Sequence, residues 1–264
     1  MPLSALLILS VQAGPEAAAP DVETIVSRSV ANNQANWTAA PRFNFTEHDV
    51  ATKSGEESSR TYEVLMIDGA PYQKVLAVDG RKMNADELKH EDREMQREIE
   101  KRRESRAFRN RRIEEYERSR HQDHALMHEM IKGYTFKLAG KETVDGRECF
   151  RVNASPRPSY VPPNRETKVL TGMRGTLWID TGTYQWVKVT AHVFRPVTFG
   201  LFIAHVRPGT EFTLEQAPVE KNIWLPTHFE MRVNARIMWW SHNSIDDETY
   251  SDYKPAQHSD TSGQ

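Results

Sequence analysis

Three histidines are the clearest set of potential metal ligands in this 264-residue chain. His121, His124 and His128 fall within one stripe if the segment is helical, and Glu117 lies beside them. Imidazole and carboxylate groups at this spacing can bind a transition metal. A firm site also needs outer groups that orient its ligands, and a stripe on a mobile helix lacks them. We therefore predict exposed histidines without a metal, and a metal-dependent enzyme is the least favoured hypothesis.

Covalent catalysis has no support in the sequence motifs. The chain contains no Gly-x-Ser-x-Gly motif, no recognisable Ser-His-Asp or Cys-His setting and no phosphate-cradling glycine loop. Its one cysteine, Cys149, lies in a predicted strand over residues 147–153, where a lone thiol is more often a small buried side chain than a nucleophile. A single cysteine also excludes an internal disulfide. We predict a protein with no catalytic residues and no cofactor, and not an enzyme.

Basic residues are concentrated in one segment. It comprises Lys101, Arg102, Arg103, Arg106, Arg109, Arg111 and Arg112. A formal net charge of -2 for the whole chain argues against a nucleic-acid binder. The favoured interpretation is a solvated helix face with neighbouring glutamates. The alternative is contact with anionic lipid headgroups or an acidic partner surface, and the predicted contact residues are then Arg102, Arg103, Arg106 and Arg109.

The two ends of the chain are predicted to lie outside the folded domain. Residues 3–13 form a short apolar run that ends in small residues, which is typical of a secretory signal peptide and is too short to span a bilayer. No Lys or Arg precedes the run, so either the start lies upstream or the run is not a signal; we favour the upstream start. Residues 1–20 are thus predicted to be signal peptide and leader. We predict a disordered tail at residues 255–264 and a soluble, periplasmic protein.

The predicted β region is centred on residues 173–194, which indicate two strands joined by a tight turn at residues 180–183. With a side-chain period of two, Val187, Val189, Ala191 and Val193 should share one face. A longer alternation runs over residues 223–237, with an apolar face opposite a polar one. The apolar set includes Leu225, Phe229, Met231 and Val233. About ten or eleven antiparallel strands are predicted in total.

Helices are predicted at two places. Asp21 is a plausible N-cap for a helix that ends near residues 32–33. Residues 84–131 are almost free of Gly and Pro and rich in charged residues, so they should form a long helical insertion. One long helix with a mobile end and two helices folded back on each other are equally allowed. Weak amphipathicity implies that the insertion is only partly docked.

Four local motifs, taken in order, resemble those of outer-membrane lipoprotein-sorting proteins with the LolA/LolB-like fold. They are Tyr-Thr-Phe-Lys-Leu-Ala-Gly-Lys-Glu-Thr-Val-Asp-Gly-Arg at residues 134–147, Gly-Thr-Leu-Trp-Ile-Asp at 175–180, Trp-Leu-Pro at 224–226 and Tyr-Ser-Asp-Tyr at 250–253. The resemblance covers nearly all of residues 21–254, although no position matches the gating arginine of the carriers. It implies a mainly β (α+β) domain: a curved, antiparallel, unclosed half-barrel with helices as a lid.

The apolar face of this sheet has two interpretations. It is either a core covered by the N-terminal helix or a concave groove for acyl chains. The groove is favoured, because one short helix cannot hide the apolar face of ten strands. Its predicted lining is Val187, Val189, Ala191, Val193, Leu225, Phe229, Met231 and Val233. Binding would be non-covalent, at about 0.8 kcal/mol for each buried methylene, with release when the lid opens.

The predicted function is therefore that of an exported binder of lipid or lipoprotein acyl chains, active in envelope lipid or lipoprotein transport. The expected partners are a lipid or an acylated lipoprotein, with peripheral contact to an anionic membrane surface and no nucleic acid. The alternative is a periplasmic regulatory or scaffolding protein that uses the same fold to bind or sense an envelope partner. A filled, tightly packed concave face would favour this alternative, and an open apolar groove would favour the carrier.

Overall fold

The computed structural model describes residues 20–164, 166–199, 204–237 and 240–256. The predicted signal peptide lies outside these residues, apart from Pro20, and so does most of the predicted tail. Within the described ranges the α-helices are α1 (Val22–Ala39), α2 (Ala85–Glu104) and α3 (Arg106–Gly133), with short 3-10 helices at Ala40–Arg42 and Glu166–Gly172. The first six strands are β1 (Phe43–Lys53), β2 (Glu56–Ile67), β3 (Ala70–Val78), β4 (Arg81–Lys82), β5 (Tyr134–Val144) and β6 (Arg147–Pro156). The others are β7 (Met173–Asp180), β8 (Trp186–Val193), β9 (Val197–Phe199), β10 (Ala204–Val206), β11 (Glu211–Glu220), β12 (Ile223–Ile237) and β13 (Trp240–Pro255).

The strands form one antiparallel sheet in the order β4-β3-β2-β1-β13-β12-β11-β8-β7-β6-β5. Two short strands lie off this path, with β10 paired to β12 and β9 paired to β10. The edge strands β4 and β5 do not pair with each other, so the sheet is a curved half-barrel and not a closed one. The predicted fold class is confirmed, and the eleven strands of the main path agree with the predicted number.

Helix α1 covers one half of the concave face. Asp21 caps it by accepting from the Thr24 amide at 2.8 Å. Ile25 and Val26 insert into the main core cluster, which they share with side chains from β5 to β8. The helix extends beyond its predicted end near residue 33 to Ala39. The extension is stable because the buried amide of Asn36 is satisfied at both ends: it donates to Gln185 Oε1 at 2.8 Å and accepts from the Trp224 amide at 3.0 Å.

The insertion is two helices, one of the alternatives left open by the sequence. Ser105 interrupts the helical backbone with φ -118° and ψ 101°, and its hydroxyl accepts from the Phe108 amide, so it ends α2 and caps α3. Helix α2 lies along β3, where Glu91 accepts from the Val75 amide at 3.2 Å. It thereby protects a strand near the sheet edge. Helix α3 contacts β3 near one edge of the sheet and β5 at the other.

Candidate functional site

The predicted groove residues of β8 lie mostly in the protein core. Val189 is 2% exposed and packs in the same cluster as Ile25 and Val26 of α1. Ala191 and Val193 are buried as well. In this half of the sheet, the structure therefore favours the core interpretation over an open groove.

Val187 is an exception to the predicted alternation. Trp178 pairs with Lys188 and Ile179 with Trp186, so Val187 is the extra residue of a β-bulge. A bulge shifts the alternation by one residue, and Val187 consequently packs with Cys149 and Trp224 in a separate cluster, not with Val189. The prediction that all four β8 residues share one face is wrong at this position.

The predicted groove residues of β12 are more accessible towards the end of the strand that lies away from α1. Leu225 is buried with Ala39 and Phe43 at the end of α1. Phe229 and Val233 are half-buried, and Met231 is 38% exposed. This exposure is unusual for a large apolar side chain on the concave face of a sheet. The Phe229 ring lies 6.4 Å from that of Phe212 on β11. These four side chains, Phe212, Phe229, Met231 and Val233, are called the apolar strip below.

Aromatic side chains continue the concave surface beyond the apolar strip. The Phe45 ring of β1 lies 5.4 Å from Tyr253 and 5.9 Å from Tyr250 of β13. Glu248, two residues from Tyr250, pairs in register with Phe229. The surface therefore extends across β11, β12, β13 and β1 as one band of apolar and aromatic groups.

Three carboxylates border this band. Asp49 pairs with Glu248 in register, and Glu47 pairs with Tyr250. Gln73 donates to Glu47 at 3.3 Å, and the Tyr250 hydroxyl donates to Glu248. No ion pair to a Lys or Arg side chain is formed by any of the three within the part of the chain that the structure describes. The cluster, called the acidic cluster below, is therefore Glu47, Asp49 and Glu248 without a described Lys or Arg partner.

Burial shifts the protonation of the acidic cluster. It raises the pKa of Glu47 to about 7, and the negative charge of Asp49 adds to the shift. Burial likewise raises the pKa of Asp49 and of Glu248. A protonated carboxyl group is easier to accommodate beside aromatic rings than a carboxylate, because less hydration is lost. The acidic cluster therefore makes the concave surface less charged at mildly acidic pH than the sequence suggests.

The sequence contained a signal for these residues. On β1, Glu47 and Asp49 follow Phe43 and Phe45 at intervals of two, so the same alternation that places the rings inward places the carboxylates inward. Neither carboxylate belongs to the predicted lining of the groove, which consists of apolar residues alone.

Of the four arginines predicted to contact a partner, Arg102 cannot do so. Its side chain is 0% exposed and donates to the backbone carbonyls of Ile67 at 2.7 Å and Ala70 at 2.8 Å. Arg103 and Arg106 are exposed, and Arg109 is half-buried. These three form no ion pair with an acidic side chain in the described ranges. The prediction is therefore wrong for Arg102 and stays a prediction for the others.

The histidine stripe of α3 lies against α1. The His124 ring stacks on Trp37 with centroids 4.3 Å apart and an interplanar angle of 26°, and His128 lies 3.2 Å from Gln34 Oε1. Arg120 places its guanidinium 4.3 Å from the centroid of the Trp37 ring. The stripe thus joins two helices.

Cys149 is inaccessible and is not poised for chemistry. It is 0% exposed, and burial raises the pKa of its thiol to about 11. A thiol with this pKa carries almost no thiolate at neutral pH, and the thiolate is the nucleophilic form. Its environment is therefore that of the small buried side chain expected from the sequence.

Two cavities are present in the described structure, and Val233 is the one apolar-strip residue that lines either of them. One, of about 290 Å³, is lined by the charged side chains Asp92, Arg93, Arg97 and Glu100 together with Gln96 of α2. The other, of about 380 Å³, is lined mainly by polar groups such as Thr52, Asn234 and Asn243, with Val233 among its walls. Neither has the apolar lining expected of a closed acyl-chain pocket. The candidate binding surface is therefore the open concave band.

These features define a mainly β protein with an unclosed antiparallel sheet and a helical layer over its concave face. No protein-family model matches the chain, and no curated protein matches it. No helix within the described part of the chain combines the length and apolar character needed to cross a membrane.

Several solved structures have a similar arrangement of elements. One is a DUF1329 family protein from Desulfovibrio piger, with 12% identity and a TM-score of 0.37 over 92% of this chain and 95% of that chain. A putative outer membrane lipoprotein-sorting protein domain from Vibrio parahaemolyticus has 10% identity and a TM-score of 0.36 over 90% of this chain and 94% of that chain. A LolA superfamily protein from Nitrosomonas europaea has 10% identity and a TM-score of 0.35 over 92% of this chain and 96% of that chain. At such TM-scores the likeness extends to the arrangement of elements and carries no conclusion about ligand or partner.

Proposed function

We propose that this protein is an exported, non-enzymatic binder of acyl chains, which it holds against the apolar strip of the concave face. The observation that carries the proposal is that the Met231 side chain is 38% exposed on the concave face of β12, beside half-buried Phe229 and Val233. Apolar side chains accessible together on a concave surface are typical of a ligand or partner site. The ligand would be a lipid or the acylated end of a lipoprotein.

The binding energy would come from removing methylene groups from water. Each methylene that leaves water contributes about 0.8 kcal/mol, so about fifteen of them are needed for micromolar binding, which is about 8 kcal/mol, once an association cost of about 4 kcal/mol is subtracted. Helix α3 contacts β3 near one edge of the open sheet and β5 at the other edge, and its movement would admit or release an acyl chain. No covalent step is required, which fits the buried, weakly acidic Cys149 thiol.

The direct test is native mass spectrometry of the mature protein purified from its own envelope, followed by organic extraction and lipid analysis. We expect a stoichiometric lipid or acylated peptide that is lost in Met231→Asp. Arg236→Asp provides a matched control, because Arg236 is exposed on the same strand and on the opposite face. Circular dichroism confirms that both variants are folded.

The proposal fails if the apo protein takes up no added lipid, or if Met231→Asp binds it as well as the parent protein. The first result would favour the second function class, which is docking of an acidic envelope partner. One observation supports that class: Arg103 and Arg106 are exposed and form no ion pair with a described acidic side chain. A partner search with the α2–α3 insertion as bait would then follow.

A further inference from the structure

A histidine and two carboxylates converge on the outer face of the sheet. His228 and Glu230 lie on β12 and alternate with the inward-facing Phe229 and Met231. Asp247 of β13 pairs in register with Glu230. β12 is held between β11 and β13 along most of its length, so the backbone that carries these groups is well fixed. The three residues, called the outer triad below, are separated from the apolar strip by the sheet itself.

The donor atoms of the outer triad are close enough to share one cation. The His228, Glu230 and Asp247 ligand atoms all lie within 4.8 Å of one another, and His228 Nε2 is 3.2 Å from Asp247 Oδ1. Bonds of about 2.0–2.1 Å to a tetrahedral zinc ion place neighbouring ligand atoms about 3.3 Å apart. The imidazole and the Asp247 carboxylate already have this separation. A rotation of the longer Glu230 side chain would complete three protein ligands.

A second observation concerns the other nitrogen of the imidazole. His228 Nδ1 faces Glu215 Oε2 of β11 at 3.7 Å, and Lys188 Nζ of β8 holds Glu215 at 2.8 Å. Metal-binding histidines characteristically direct their second ring nitrogen at a carboxylate, which fixes the tautomer and the ring orientation. Here that arrangement would put the proton on Nδ1 and leave the Nε2 lone pair directed at Asp247.

The local charge also suits a cation. Three carboxylates, Glu215, Glu230 and Asp247, are accompanied by two basic side chains. Lys188 forms an ion pair with Glu215, and Arg232 forms one with Glu230, each at 2.8 Å. With a neutral imidazole, one negative charge remains in excess. All three members of the outer triad are only half-buried, so a hydrated cation can reach them from solvent.

We infer that His228, Glu230 and Asp247 bind a divalent transition cation, with Zn²⁺ as the best match to one imidazole and two carboxylates. A fourth position is open to water. Glu215 acts as a positioning residue through His228 Nδ1 and does not touch the cation. The site is independent of acyl-chain binding, because it lies on the opposite face of β12.

The test is a titration of the tag-free, chelator-treated full chain with zinc alone, followed by calorimetry and by competition with a chromogenic chelator. We expect one equivalent bound at this site by the parent protein. His228→Ala should abolish this binding, and Asp247→Asn should weaken it strongly. Glu215→Gln should weaken it by about 10- to 100-fold, the usual effect of losing an orienting carboxylate, while the fold is unchanged.

His192→Ala and His124→Ala are the matched controls. His192 is exposed on β8, outside the outer triad, and His124 belongs to the stripe of α3. Both variants should keep the zinc equivalent bound at the outer triad. The inference is overturned if the parent protein binds no zinc in the micromolar range. It is also overturned if binding survives His228→Ala and disappears in His124→Ala, because the stripe on α3 would then hold the ion.

Discussion

At the scale of single residues, Arg102 is the strongest determinant of how the helical insertion is attached. Its fully buried guanidinium donates to the carbonyls of Ile67, Ala70 and Pro71 at the β2–β3 turn, and it pairs with Glu98 of its own helix at 2.9 Å. Truncation to alanine would leave those carbonyls without their donor, and the largely buried Glu98 carboxylate would keep only its 3.3 Å pair with Arg112. We expect Arg102→Ala to lower the free energy of unfolding by about 3–5 kcal/mol, measured by urea denaturation.

Arg103 provides the control for this prediction. It adjoins Arg102, is exposed and forms no ion pair with an acidic group that the structure describes, so Arg103→Ala should change the unfolding free energy by less than about 0.5 kcal/mol. Arg102→Lys should fall between the two, because an ammonium group keeps the charge and loses the planar fork. Equal free energies of unfolding for Arg102→Ala and Arg103→Ala would show that the buried contacts of Arg102 do not attach the insertion to the sheet.

The sequence carried part of this information. Leu88, Met95 and Arg102 are spaced by seven residues, so Arg102 lies on the apolar stripe of α2 and not on its solvated face. Composition alone could not separate it from Lys101 and Arg103. The bulge at Val187 is different, because an extra residue leaves no trace in an alternating run of valines. Local backbone irregularities of this kind determine which predicted groove residues face the core.

At the scale of elements, α3 is attached to α1 by an unusual set of contacts. Trp37 is in contact with His124 and His121, at 4.3 Å and 5.3 Å between ring centroids, and with the Arg120 guanidinium. His128 packs edge-on against His124 at 4.4 Å. The sequence predicted the histidine stripe, but its partner lies on a helix distant in the chain. The sequence therefore predicts exposed histidines, and His121 and His128 are indeed exposed, but all three also contact α1 in a helix–helix interface.

This interface should be sensitive to pH. Partial burial lowers the pKa of His124 below 6.5, and the charges of His128, His121 and Arg120 lower it further, with Glu117 and Gln34 as the other polar groups nearby. Because the docked state binds protons less readily, docking is favoured above pH 6.5 and weakens as pH falls towards the docked pKa. We expect hydrogen exchange of α3 amides, corrected for intrinsic rates, to be faster at pH 5.5 than at pH 7.5.

His124→Phe should retain the stacking on Trp37 and lose most of this pH dependence, since phenylalanine cannot be protonated. His90→Phe is the control, because His90 is exposed on α2 and should leave the pH dependence unchanged. If the parent protein and His124→Phe respond alike to pH, the histidine contacts do not control the docking of α3. The movement of α3 that admits or releases an acyl chain would then be controlled by other contacts.

At the scale of the whole molecule, the sequence predicted the architecture better than the accessibility of its concave face. Long alternating strands such as β12 and the charged insertion were enough to indicate an open antiparallel sheet with a helical layer. They could not show how far α1 covers the sheet, because that depends on buried polar contacts such as Asn36 with Gln185. The carboxylates of β1 and β13 were missed for a related reason, since only the pairing of these distant strands brings them together.

The acidic cluster couples the stability of the whole sheet to pH. The pKa of Glu47 is raised from 4.5 to about 7 on folding, chiefly by burial and then by the charge of Asp49. The folded protein therefore binds more protons than the unfolded chain between these values, and the free energy of unfolding should fall as pH rises through this window. Asp49 and Glu248 are shifted in the same direction and add to the effect.

Glu47→Gln should reduce this slope and raise the unfolding free energy at pH 8 relative to the parent protein, because an amide has no charge to desolvate. Urea denaturation between pH 5 and pH 8 measures it. The His124→Phe background is preferable, since the histidine interface responds to pH in the opposite direction. Glu57→Gln is the control, as Glu57 is exposed on β2.

If the unfolding free energies of Glu47→Gln and Glu57→Gln change equally with pH, Glu47 ionises as freely as an exposed carboxylate. The concave surface would then be charged at neutral pH and much less suited to acyl chains.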